Sequence, residues 1–96
     1  MHVRVVRFTD VNSERLKDMQ ARVEQSDGPP EGVPATGIQL LVDDEQKTAV
    51  VLQFFDSRED LEAGAKVFAA MDPSDTPGTR ASVDACELRL ERRAPS

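Results

Sequence analysis

Apolar and β-branched residues crowd the start of the chain, where Val3, Val5, Val6 and Phe8 predict a strand over about residues 2 to 9. Asp10, Asn12 and Ser13 then offer side-chain oxygens to orphan backbone N–H groups, and Leu16, Met19 and Val23 follow at helical spacing. This pattern predicts an amphipathic helix over about residues 12 to 25, with Glu14, Lys17, Asp18 and Glu24 on a solvated face. Gly28, Pro29, Pro30, Gly32 and Pro34 end regular structure, because proline removes backbone donors and glycine admits positive φ.

Two further apolar runs, residues 36–43 and 47–55, flank the polar stretch Asp43, Asp44, Glu45, Gln46 and Lys47, which suits a hairpin. Alternation groups Thr36, Ile38, Leu40 and Val42 on one face of the first strand. It groups Thr48, Val50, Leu52 and Phe54 on one face of the second, and these two sets are expected to form the internal core. The reverse face carries Leu41, Val51 and Phe55 beside Gln39 and Gln53, so a cover is expected there. Ser57 followed by Asp60 forms a variant capping box, and Leu61, Ala65, Phe68 and Met71 carry a second helix to about residue 71. Pro73, Pro77 and Gly78 enforce a loop, and Val83, Cys86, Leu88 and Leu90 predict a last strand over residues 81–90.

The order β-α-β-β-α-β with a central hairpin is the split βαβ arrangement. Its right-handed crossovers place both helices on one face of a four-stranded antiparallel sheet, the α+β ferredoxin-like sandwich. Ninety-six residues make one domain, residues 1–96, with a modest core. Twelve basic and eighteen acidic residues leave a net charge of −6, which repels nucleic acid and anionic membranes. The single cysteine, Cys86, allows no intrachain disulfide, and no apolar run approaches the roughly 18 residues of a membrane span. A cytoplasmic protein is expected.

The opening strand Val3 to Phe8, the passage Phe54-Phe55-Asp56-Ser57-Arg58-Glu59-Asp60-Leu61 and the order of elements resemble the dimeric α+β barrel superfamily, which includes the antibiotic biosynthesis monooxygenase-type proteins. The resemblance implies a homodimer formed by two sheets packed face to face, with Leu41, Val51 and Phe55 at its interface. Haem-degrading members use an Asn late in the first strand, with a Trp and a His associated with the second helix. Here Val6 stands near the first position, Trp is absent and His2 is the sole histidine, so that site does not carry over. The Trp and Tyr groups of the quinone-forming oxygenases are missing too. No cofactor is expected.

Few side chains suggest chemistry. A terminal histidine such as His2 is more often solvated than catalytic, and Cys86 is expected as a buried, inert thiol. Asp72, Ser74, Asp75 and Thr76 lack the spacing and central glycine of a calcium loop, so they read as turn residues. Arg7 and Arg80 are available to an anionic substrate or to surface ion pairs. Gly64 interrupts the buried stripe of the second helix, which implies either close helix–sheet approach or space for a ligand. These features yield a candidate pocket at Val6, Phe54, Gly64 and Phe68. The resemblance implies that such a pocket would serve a binder of a small apolar molecule or a cofactor-independent monooxygenase-like enzyme. The alternative is a non-catalytic dimeric structural or regulatory module.

Overall fold

The computed structural model describes residues 1–70 and 76–95. Its elements follow the expected order: β1 (His2–Thr9), α1 (Ser13–Gln25), β2 (Gly37–Asp43), β3 (Thr48–Phe55), α2 (Arg58–Ala69) and β4 (Thr79–Glu87). Asn12 caps α1, its side-chain oxygen accepting from the N–H groups of Glu14 and Arg15 at 3.0 and 3.1 Å. Ser57 caps α2 by accepting from the Asp60 N–H at 3.1 Å. Met71, the expected last core position of that helix, and the turn residues Asp72, Ser74 and Asp75 lie outside the described residues.

The sheet runs β2-β3-β1-β4 with every pair antiparallel, the ferredoxin-like order. Strand β4 sits earlier in sequence than the expected 81–90, because its partner β1 sets its length: Thr79 pairs with Thr9 and Glu87 with His2. Leu88 adds one backbone bond to Met1, and among the described residues the pairing of β4 with β1 ends at Glu87. A bulge between Arg7 and Phe8 leaves Ala81 unpaired, so that Arg80 stands opposite Phe8.

Register corrects the expected faces of β3. Asp43 pairs with Thr48 across a four-residue turn, so Ile38 faces Gln53, Leu40 faces Val51 and Val42 faces Ala49. Ala49, Val51, Gln53 and Phe55 therefore share the helix-covered face with Ile38, Leu40 and Val42, whereas Val50, Leu52 and Phe54 lie on the open face. Val51 is 6% exposed and Phe55 0%, so neither belongs to the uncovered surface where an interface was expected. Leu41 does lie on that open face, and it is 53% exposed.

Two apolar clusters build the core. Val6, Phe8, Ala49 and Val51 meet Leu16 and Met19 of α1, together with Val11 and Leu40. Phe55, Leu61 and the loop residue Val33 meet Val67 and Phe68 of α2. Helix α1 contributes no fully buried side chain, so its apolar stripe rests on the sheet without sealing it. No helix among the described residues is long and apolar enough to cross a membrane.

Candidate functional site

Along β1 the helix-side residues read Arg4, Val6, Phe8, and along β3 they read Ala49, Val51, Gln53, Phe55. Val6, Phe8, Ala49 and Val51 belong to the first cluster and Phe55 to the second, which leaves the polar pair Arg4 and Gln53 between them. An open cleft of about 940 Å³ lies over this seam. Arg4, Val6, Phe8, Val51 and Gln53 form its sheet side, Met19 and Val23 come from α1, and Phe68 and Ala69 from the end of α2. The segments around Pro29 to Ala35 and Thr76 to Arg80 close its ends.

The four residues expected at a pocket do not stand together in this cleft. Val6 and Phe68 line the cleft. Phe54 does not, because the register puts it on the open face between Val3 and Gly37. Gly64 does not line it either: a Cβ there would meet the Phe55 ring at 2.9 Å and Val33 at 3.3 Å, so this glycine serves close packing.

Other candidates separate in the same way. Arg80 borders the cleft, but Arg7 is exposed on the open face. Cys86 is exposed rather than buried, since it pairs with Val3 on the uncovered side of an edge strand. His2 is half-buried on the helix side, opposite Phe55 and Glu87 and outside the cleft, and its Nδ1 has no hydrogen-bond partner.

Arg4 and Gln53 are the residues that sequence reasoning passed over. Arg4 is 5% exposed; it donates from Nη1 to Gln53 Oε1 at 3.0 Å and lies 4.9 Å from the centre of the Phe68 ring, while its Nε lacks an acceptor. Burial lowers its pKa, and the positive charge of Arg80 lowers it further, yet a guanidinium remains charged at neutral pH. Arg15 and Arg22 also border the cleft, so four arginines surround an apolar floor in a protein of net charge −6. Asp10 is the one carboxylate among the described lining residues.

This arrangement can hold and desolvate an apolar molecule, but it offers little for proton transfer. The described lining residues include no His, Cys or Tyr, with Met19 the single soft donor, so the cleft does not fit a haem iron held by an axial ligand. No cluster of three metal-binding side chains occurs among the described residues.

No family model and no curated protein matches the chain. Among solved structures it is similar to a mutant of MhuD crystallised with two manganese protoporphyrin IX bound per active site, at 18% identity, with all of both chains covered and a TM-score of 0.58. The chain has the ferredoxin-like fold of MhuD over its whole length, the fold that its resemblance to the antibiotic biosynthesis monooxygenase-type proteins implies.

Proposed function

We propose that the protein holds a small, predominantly apolar molecule in the cleft between its helices and its sheet, as a binding protein or as a cofactor-independent, monooxygenase-like enzyme. The observation that carries this reading is the cleft of about 940 Å³, floored by Val6, Phe8 and Val51 and flanked by Met19 and Phe68. That volume lies within the range of roughly 300 to 1,000 Å³ typical of small-molecule sites. A catalytic version would act by orienting and desolvating its substrate, since Asp10 is the only carboxylate at hand among the described lining residues. The similar solved structure holds two manganese protoporphyrin IX per active site, which supports a ligand role for the scaffold. We further propose a homodimer through the open sheet face, in a cytoplasmic setting where Cys86 stays reduced.

The test uses N-phenyl-1-naphthylamine, an uncharged apolar fluorophore. Saturable fluorescence enhancement is expected with the unmodified protein. Met19→Trp, which fills the cleft from a helix without buried side chains, should abolish the enhancement while circular dichroism stays unchanged. An unmodified protein that gives no saturable signal, and that yields no copurifying compound in native mass spectrometry, would leave the non-catalytic module as the better reading.

A further inference from the structure

Arg4 is a cation placed where the fold needs apolar surface, between two hydrophobic clusters on the helix side of β1. Taking a guanidinium out of water is costly unless an anion or a full set of acceptors replaces the solvent. Here the compensation is partial. Gln53 supplies one neutral acceptor, the Phe68 ring faces the charge, and Nε is left without an acceptor. A carboxylate would be the ordinary partner, yet neither Arg4 nor Arg80 has an ion pair among the described residues, Asp10 at the cleft included.

A second positive charge is brought to the same place by a specific backbone feature. The bulge after Arg7 shifts the pairing of β4 by one residue, setting Arg80 opposite Phe8 on the helix side, where it borders the cleft. With regular pairing Ala81 would hold that position. Bulges re-aim side chains in this way, and here the result is two like charges converging on an apolar cleft. Like charges repel, which makes the pair unfavourable until an anion sits between them.

Resting on the reading of the cleft as a small-molecule site, we infer that its ligand is an apolar acid, a hydrocarbon or aromatic body with one carboxylate-like anionic group that docks on Arg80 and the cleft-facing edge of Arg4. The body lies over Val6, Phe8 and Val51, with Met19 and Phe68 at its sides. Binding sets one negative charge between the two cations and covers the floor in one event. No bond is made or broken.

Two probe pairs test this against the apolar reading alone. 1-Anilinonaphthalene-8-sulfonate is N-phenyl-1-naphthylamine with one added sulfonate, and dodecanoate matches dodecanol in chain length. The anionic probe should bind about tenfold or more tightly than the neutral one, as charge-assisted hydrogen bonds in a sheltered site allow. Dodecanoate should displace either probe at lower concentration than dodecanol. Arg80→Gln, at an exposed position, and Arg4→Met should each bring the paired affinities together, chiefly by weakening the anionic member of each pair. Arg58→Gln on the exposed face of α2, away from the cleft, should leave the preference unchanged. Equal affinities within both pairs for the unmodified protein, with neutral binding intact, overturn the anionic inference and leave the proposed function standing. A preference that survives Arg80→Gln and Arg4→Met overturns it too. Failure of all four compounds to bind overturns both.

Discussion

The Phe55 ring occupies the space that a side chain at Gly64 would need: a Cβ there would lie 2.9 Å from Cε1 and 3.0 Å from Cζ of a residue that is 0% exposed. Helix propensity alone favours alanine over glycine by about 1 kcal/mol. Here that gain is opposed by overpacking of about 1 to 3 kcal/mol, because the ring sits against Val33 and Leu61 and has nowhere to retreat. Gly64→Ala is therefore expected to be neutral to destabilising, by up to about 2 kcal/mol in urea unfolding. Phe55→Leu in the same chain should relieve the clash, so that the pair costs less than the sum of its single changes. A clear stabilisation by Gly64→Ala alone would contradict this packing.

The Arg4–Gln53 contact makes an unequal pair of predictions. Removing the acceptor leaves a buried cation with one fewer partner, so Gln53→Leu should cost about 1 to 3 kcal/mol. Removing the cation lifts the larger desolvation cost but strands the Gln53 amide oxygen, so Arg4→Met should cost less than Gln53→Leu. The double variant, two apolar residues filling the seam between the clusters, should be at least as stable as the unmodified protein. Chemical denaturation of the four proteins checks the cycle, and an Arg4→Met variant far less stable than Gln53→Leu would show that the guanidinium has compensation elsewhere.

The order of elements, the caps at Asn12 and Ser57 and the loop at Gly28 to Pro34 were all legible, because each rests on local chemistry within a few residues. The phase of β3 was not. Its two faces, Ala49/Val51/Phe55 and Val50/Leu52/Phe54, are almost equally apolar, so alternation has no preference and the turn length decides. That one parity moved Val51 and Phe55 into the core and Phe54 out of the pocket. It also concealed the site, since Gln53 faces Arg4 only in the observed register. A charged residue alternating with Val6 and Phe8 was the available signal. The cleft itself depends on how far α1 stands from the sheet, which helical periodicity does not encode.

Gly78 ties the cleft's end to the sheet. A Cβ at this position would lie 2.5 Å from the Thr9 carbonyl oxygen and 3.1 Å from that of Asp10, both backbone atoms that cannot step aside. The neighbouring Pro77 carbonyl accepts the Asn12 N–H at 2.9 Å, directly before α1. Gly78→Ala should therefore lower the melting temperature and expose the Asn12 amide to faster hydrogen exchange, through a cost of about 1 to 3 kcal/mol. Unchanged exchange at Asn12 would mean that the loop can absorb the methyl group.

Self-association is the remaining prediction, and the corrected register changes which residue tests it. The open face presents Val5, Val50, Leu52, Phe54 and Leu41 with no helix over them, flanked by Gln39, Arg7 and Asp84. The chain exposes 7097 Å², whereas its mass of 10.6 kDa scales to roughly 5,500 Å² for a folded monomer. Part of the excess belongs to the cleft and the extended C-terminal residues, but it leaves room for the roughly 800 Å² per partner of a standard interface. A second copy packed on this apolar face would supply that cover. Leu52, half-buried between Val5 and Gln39 at its centre, is the residue to change. Leu52→Asp should convert a dimer into a folded monomer, because the new carboxylate would be buried without a partner only in the assembly. Val51→Asp, by contrast, should unfold the domain, since Val51 lies in the core beneath α1. Light scattering at micromolar concentration, with circular dichroism on the same samples, separates the two outcomes. A monomer for the unmodified protein, or a dimer that persists in Leu52→Asp, would rule out this face as the interface.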